Sequence, residues 1–531
     1  MLQLFDSDQE ESSTEHKLFE DDDDTERTII ERNWTNEQKH VIDFIPYAPS
    51  IVMVSALPGT GKTTVCEKLI SQHASSTRKF YFTMLSLRLA QEAERRIACS
   101  SVACGTFHSL ALQIVQKIHN SIQFEIQDNL ENVDKNIVMF LEEYWISDED
   151  CLLKFYDFKQ QEIQTKKRKR GFCIVEKAEK IWKDMQIGKI PLTHQAYLKM
   201  CSIDPKAVDV IYKMYQCIVV DEAQDVPPCF VKFLLKLKQC CIYFVGDPNQ
   251  QIFSFAGAAS AFGIDKIKHR VTSFYLTQSF RFGPHVADIA NKTVLKCRKE
   301  STVPFPNIIS TLESTHSLIT FEPNVNIYDF KEPFTLICRY NATLLQHALQ
   351  SIENQMFFHM IGTPVLDIIK VIPFWLEKFQ SWPLSCRAFE FEHTKNVLYA
   401  RPQGGSKDVQ ALKFVYSYHD RLHDFSERFE KYHVGETQAK MILVSAHQSK
   451  GMEFDVVVLG DDYPDIFENV QEGPSLFDCD EKEIHQNNEE TNILFVAITR
   501  CKKKLYLNSM LGKYGKDLFS EKLSNHFLFI E

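Results

Sequence analysis

Short β-branched and apolar runs, each followed by a polar or glycine-rich turn and then a helical stretch, set the rhythm of this chain. IVMVSA (Ile51–Ala56) leads through LPGTG into a helical stretch from Lys62, and KFYFTML (Lys79–Leu85) leads into the charged helix QEAERRI. CIVVDEAQD (Cys217–Asp225) and CIYFVGD (Cys241–Asp247) are further buried-strand patterns that end in acids. FTLICRY (Phe334–Tyr340), MILVSAH (Met441–His447), DVVVLGDD (Asp455–Asp462) and KLYLNSM (Lys504–Met510) repeat the theme. Strands alternating with helices predict parallel sheets. The strands fall into two groups, within 51–280 and 334–531, each broken by a long segment of another kind. The first break, from Ala111 to about Lys206, is helical and basic; the second is mixed. The pattern therefore predicts an α/β protein of two lobes with insertions, and it contains no short internal repeat.

Composition narrows this only a little. The chain has 531 residues, 44% hydrophobic and 25% charged, the profile of a globular protein with room for several compact units. No apolar run reaches the roughly 18 residues of a membrane span. The N-terminus, MLQLFDSDQEE, lacks the basic and apolar regions of a secretory signal. The 15 cysteines show no paired CxxC or His/Cys spacing, so they read as reduced, mostly buried thiols, and a structural zinc site is not expected. Net charge is −11, which taken alone argues against a nucleic-acid partner. Residues 1–33, however, hold 12 acids against Lys17, Arg27 and Arg32, with Asp21–Asp24 at their centre. This polar, aperiodic stretch reads as a disordered acidic tail, and the remainder, with 57 basic and 59 acidic residues, is close to neutral. A neutral body can carry a basic groove.

Two motifs carry chemistry by their residues alone. ALPGTGKT (Ala56–Thr63) follows a buried strand and opens a helix, as a phosphate-binding loop does. Gly59 and Gly61 let the backbone aim its N–H groups at phosphates, Lys62 supplies a point charge, the Thr63 hydroxyl ligates Mg²⁺, and the helix N-terminus adds partial positive charge. Ala56, Gly59, Thr60, Gly61, Lys62, Thr63 and Thr64 form the expected nucleotide cradle. DEAQD (Asp221–Asp225) lies at a strand end, the crevice edge where α/β proteins bind ligands. Asp221 is the expected metal-side acid and Glu222 the residue that positions water. A small-molecule kinase could own both motifs, so they do not name the reaction.

Further motifs do. VGDPNQQIFSFAGA (Val245–Ala258), LTQSFRFG (Leu276–Gly283), SAHQSKGMEFD (Ser445–Asp455) and NILFVAITR (Asn492–Arg500) occur in the order found in UvrD-like superfamily-one helicases. WTNEQ (Trp34–Gln38) resembles the adenine-recognition motif of that family, and GTFHSLA (Gly105–Ala111) an early DNA-contact motif. The wording of LTQSFRFG with GDPNQQIF is most similar to the F-box DNA helicase branch. The resemblance extends from Trp34 to roughly Tyr506.

The resemblance implies two RecA-like parallel-sheet lobes. The first spans 34–111 and 207–320, around a helical insertion at 112–206. The second spans 321–350 and 439–531, around a small insertion at 351–438. It implies that ATP binds between the lobes with Mg²⁺. Gln38 would meet the adenine edge, Phe280 would stack on the base, and Gln250 would sense the γ-phosphate. Arg281 and Arg500 would serve as arginine fingers from opposite lobes, Glu453 would touch the ribose, and Lys450 and Gly451 would line the cleft. Phe107, His108, Phe253, Phe255 and His447 occupy the positions that contact single-stranded DNA, stacking at roughly 1–3 kcal/mol per base.

The implied activity is a 3′-to-5′ DNA helicase or translocase. The implied setting is repair and control of recombination, with DNA junctions and recombinase filaments as partners, in the nucleus and away from membranes. The acidic tail would have a partner of its own. The rivals are an RNA-acting or protein-stripping ATPase that does not unwind, and a non-motor nucleotide-dependent scaffold.

Several features depart from the family. Phe255 and Ala256 replace a usual Trp and Arg, Met84 replaces an aromatic, and the segment between Tyr340 and Met441 is short for the second insertion. The 33 residues of the acidic stretch ahead of the first motif are too few for an F-box, so a ubiquitin-ligase role is not expected. KKRKR (Lys166–Arg170) reads as a solvated loop, a nuclear-import signal or a contact for duplex phosphates.

Overall fold

A computed structural model describes residues 33–84, 86–130, 133–162, 168–252, 271–297, 306–321, 326–400, 406–467 and 481–514. Two six-stranded sheets dominate it. The first contains β1 (Ser50–Ala56), β2 (Phe80–Thr83), β3 (Val102–Gly105), β4 (Cys217–Val220), β5 (Cys241–Gly246) and β6 (Val271–Leu276), in the order β3-β2-β4-β5-β1-β6. A short pair, β7 (Gln278–Ser279) with β8 (Ile309–Ser310), stands beside it. The second contains β9 (Leu318–Thr320), β10 (Phe334–Cys338), β11 (Phe358–Met360), β12 (Met441–Ser445), β13 (Phe454–Leu459) and β14 (Cys501–Tyr506), in the order β11-β12-β10-β13-β14-β9. Every pairing in both large sheets is parallel, as the strand–helix alternation predicts.

The apolar runs behave as strands covered on both faces must. In β4 and β5, Cys217, Val219, Cys241, Tyr243 and Val245 face a core that includes Val65 and Leu69 of the helix Lys62–His73. The alternate residues Ile218, Val220, Ile242 and Phe244 face a second core with Phe230, Leu110 and the helical segment containing Trp145 and Trp182. The second sheet divides likewise. Leu336, Leu443 and Val458 pack with the helices between β11 and β12, while Ile337, Val444, Val457 and Leu459 pack with the helix Glu481–Ile498.

Helices Lys135–Ile146, Leu152–Glu162, Arg168–Gln186, His194–Ile203 and Lys206–Met214 fill most of the stretch read as helical. The segment between β11 and β12 is itself largely helical, with Thr363–Ser381, Arg387–Ala400, Ser406–Tyr418 and Phe425–Tyr432. β9, ahead of the boundary drawn at 320 from the sequence, already pairs with β14, and the helix Pro284–Cys297 shares a core with Glu481–Ile498. The acidic run Asp21–Asp24, Phe253, Phe255, Ala256, Lys166 and Lys167 lie outside the described residues. Among the described residues no helix is long and apolar enough to cross a membrane.

Candidate nucleotide-binding site between the lobes

β1 ends at Ala56, and the chain reverses through a loop before the helix Lys62–His73 begins. Gly59 and Gly61 take φ values of +76° and +77°, the left-handed region that side chains disfavour. Gly61 caps the helix with no side-chain hydrogen bond, so the first-turn N–H groups point into the loop, a setting for an anion. Space also requires Gly59. A Cβ there would collide with the Ser279 hydroxyl and stand 2.7 Å from the Arg281 Cβ, and the Phe280 N–H donates to the Gly59 carbonyl at 2.9 Å. The strip Ser279–Arg281 thus lies directly on the loop.

Lys62 and Thr63 face the end of β4. The Lys62 ammonium donates to Glu222 Oε1 at 2.8 Å, and the Thr63 hydroxyl donates to Asp221 Oδ2 at 2.8 Å. Glu222 holds a left-handed backbone at φ +52°, a strained state for a side-chain-bearing residue that costs about 1–2 kcal/mol. It opens the short helix Ala223–Asp225, whose Asp225 N–H returns to the Glu222 carbonyl at 2.9 Å. A hydroxyl and a carboxylate oxygen side by side are donors suited to a hard divalent cation. Among the described residues no group of three or more His, Cys, Asp or Glu could hold a metal alone, so a cation here would also need phosphate or water oxygens.

The second lobe closes this face. From the turn after β12, Lys450 reaches the Asp225 carboxylate and the Gln250 carbonyl, the latter at 2.7 Å. Arg500, at the end of the helix Glu481–Ile498, is fully buried. Its guanidinium donates to the carbonyls of Val496 (3.0 Å) and Met452 (3.2 Å), to Thr499 Oγ1 (3.2 Å) and across the seam to Gln250 Oε1 (3.3 Å). Gln250 in turn donates to Asp247 at 2.8 Å. Arg281 crosses the other way, to Glu453 at 3.1 Å and to the Thr499 carbonyl at 3.1 Å. Asn492 adds a bond to the Gln251 carbonyl at 2.9 Å. Phosphate loop, acidic strand end and both arginines therefore share one seam.

Charge there is concentrated and buried. Burial pushes the Asp221 carboxyl up to about 6, helped by Glu222 and opposed by Lys62. Burial acts on Glu222 in the same sense, but Lys62 and Lys450 overcome it and hold that carboxyl down near about 2. Asp225 is pushed up to about 6 by burial despite Lys450, and its Oδ1 has no hydrogen-bond partner among the described residues. Burial and the adjacent Arg281 bring Arg500 down to about 9, still cationic at neutral pH.

Around the loop, Phe280 leaves its ring 45% exposed, whereas Gln38 is buried beneath the loop. The Gln38 amide accepts from the Thr35 N–H at 3.0 Å, closing a capping box, and donates to the Thr60 carbonyl at 3.0 Å. Thr60 fixes the loop internally through the Leu57 carbonyl at 2.8 Å. Gly451 has a left-handed φ of +84° with open space around it, and Glu453 is exposed.

Candidate DNA-contact residues are placed differently from one another. The Phe107 and His108 rings lie 4.4 Å apart, tilted by 36°, and Phe107 lies 5.8 Å from Phe230. His108 packs edge-on against His194 and Tyr197, and burial, with His194 beside it, lowers its ring to about 3. His447 is brought down to about 4 by burial and the nearby Arg339. Asp225, Asp247, Gln224 and the Arg339–Glu490 pair (2.7 Å) were not singled out by motif reading. Asp225 lies inside DEAQD, and its position one short turn beyond Glu222 is the signal that could have found it.

Comparison with known proteins bears on this geometry. Residues 34–271 match the UvrD/REP helicase N-terminal domain and 408–511 the UvrD-like helicase C-terminal domain. Residues 199–353 also match the viral superfamily 1 RNA helicase core domain. F-box DNA helicase 1 of Gallus gallus is 28% identical over 545 residues, covering 91% of this chain and 50% of that protein. F-box DNA helicase protein 1 of Schizosaccharomyces pombe is 26% identical, covering 90% and 58% respectively. The probable DNA helicase II homolog of Mycoplasma pneumoniae is 21% identical, covering 87% and 82%. The chain spans about half the length of the F-box DNA helicases it matches.

Proposed function

Because the chain belongs to the UvrD-like helicase family and resembles its F-box DNA helicases, we propose that it hydrolyses ATP with Mg²⁺ in the seam and uses the cycle to move 3′-to-5′ along single-stranded DNA. The observation that carries this reading is convergence. Lys62 of the first lobe and Arg500 of the second stand on the same carboxylate and amide network, so one nucleotide can touch both halves. Charges of opposite lobes that meet around a phosphate make closure depend on whether that phosphate is present.

In this reading the loop N–H groups and Lys62 bind the phosphates, and Thr63 with Asp221 holds Mg²⁺, which would neutralise phosphate charge. Glu222, kept ionised by Lys62 and Lys450, orients the attacking water, and Gln250 senses the γ-phosphate. Arg281 and Arg500 stabilise the charge that develops in transfer. Phe280 stacks on the base. Gln38 has both ends of its amide already in protein hydrogen bonds, so it supports the loop while offering its remaining N–H and lone pair to adenine. Glu453, Lys450 and Gly451 complete the cleft. Phe107, His108, Phe253, Phe255 and His447 are the proposed DNA-contact positions. Repair and control of recombination, DNA junctions and recombinase filaments as targets, and a nuclear location extend the reading by analogy with the relatives.

A second reading rests on the match to an RNA helicase core over 199–353. ATP turnover measured with single-stranded DNA and with RNA of the same sequence separates the two. The proposal expects stimulation by DNA to exceed that by RNA, and equal stimulation would refute a DNA preference.

A further inference from the structure

Glu222 shares its surroundings with two lysines, and only one of them comes from its own lobe. Lys62 occupies Oε1, while the Lys450 ammonium stands 3.9 Å from Oε2. The Lys450 side chain is almost entirely buried, so its charge cannot turn to solvent and must rest on whichever carboxylate is nearest. Asp225 supplies that carboxylate. The short helix Ala223–Asp225 holds the two acids at a fixed offset, and the Gln250 carbonyl takes a second Lys450 proton at 2.7 Å.

We propose that Asp225 is a positioning residue for hydrolysis: by drawing Lys450 across the seam, it holds that ammonium 3.9 Å from Glu222 Oε2, which also accepts from the Gln224 amide, and so leaves the oxygen's remaining lone pair able to orient water. This rests on the ATPase reading above. Remove the Asp225 charge, and the nearest remaining acid for a buried ammonium is Glu222. The water-orienting carboxylate, already paired with Lys62 through Oε1, then takes a lysine on its other oxygen as well.

The test is a double-mutant cycle of DNA-stimulated ATP turnover on the full chain, with Asp225→Asn, Lys450→Gln and both together. Asp225→Asn should lower kcat on the order of 10- to 100-fold, part of the roughly 10²–10⁴ that a positioned proton acceptor contributes, with KM for ATP within about 3-fold. The double variant should be no slower than Lys450→Gln alone, since without the ammonium nothing needs to be held away. Asp225→Glu, which keeps the charge, should restore kcat to within about 5-fold of wild type, and it remains informative if the Asn variant fails to fold. Effects that multiply in the double variant, an Asp225→Asn kcat equal to wild type, or a Glu variant as slow as the Asn variant would each overturn the proposal. A wild-type protein without any ATP turnover would overturn the parent reading instead.

Discussion

On the proposed ATPase reading, Arg500→Ala should separate catalysis from binding, because the guanidinium is held mainly by its own lobe. Three of its four hydrogen bonds, to Val496, Met452 and Thr499, stay within the second lobe, and only the bond to Gln250 Oε1 crosses. Truncation removes four donors at about 1 kcal/mol net each, so the second lobe should lose roughly 3–5 kcal/mol of stability yet keep its fold. The phosphate loop, Lys62, Thr63 and Phe280 belong to the first-lobe side and are untouched, so the dissociation constant for ATP should change less than about 5-fold, or roughly 1 kcal/mol. Turnover should fall far more. An arginine that stabilises transferring phosphate contributes about 10³–10⁵ in rate, equivalent to roughly 4–7 kcal/mol. The assay pairs single-turnover ATP hydrolysis with equilibrium binding of a fluorescent ATP analogue, and circular dichroism checks the fold. A folded variant that hydrolyses ATP within 10-fold of wild type (about 1.4 kcal/mol) would refute the assignment and favour a nucleotide-dependent scaffold.

Three other outcomes follow from individual contacts. Phe280→Ala should raise KM for ATP about 3- to 10-fold with kcat nearly constant, since an exposed ring that stacks on a base is worth about 0.5–1.5 kcal/mol; steady-state kinetics check it. Gly59→Ala should weaken ATP binding more than 10-fold (about 1.4 kcal/mol) in a titration, because the new methyl must displace Ser279 and Arg281 from the loop. His108, held neutral at about 3 in the fold against an ordinary 6.5, binds its proton only on unfolding, so it erodes stability as pH falls below 6.5. The loss reaches about 2 kcal/mol at pH 5, and His108→Phe should show a smaller drop in melting temperature between pH 7 and pH 5 than wild type.

The sequence was most readable in the interior strands of the two large sheets. The eight apolar runs that alternate with helices became β1, β2, β4, β5, β10, β12, β13 and β14. Within the two large sheets the strands without such runs, β3, β6, β9 and β11, are the four edges. An edge strand is short or half exposed, as in β6 (VTSFYL), where only Leu276 is buried, so no continuous apolar run announces it. The helix Pro284–Cys297 and β9 show the same limit at larger scale, because attachment to the second lobe depends on partners some 200 residues later. At the site, the loop and DEAQD are local and legible. Lys450, Arg281 and Arg500 came only through family resemblance, since their meeting is a tertiary fact. Asp225 was passed over because its charge partner lies 225 residues away.

The most direct measurement of the motor claim is ATP-driven strand displacement on duplexes carrying a 3′ or a 5′ single-stranded tail, with Lys62→Ala alongside wild type. The account predicts displacement from the 3′-tailed duplex, little from the 5′-tailed one, and none by Lys62→Ala. Displacement that persists in Lys62→Ala, or DNA-stimulated hydrolysis that moves neither strand nor protein along DNA, would contradict it.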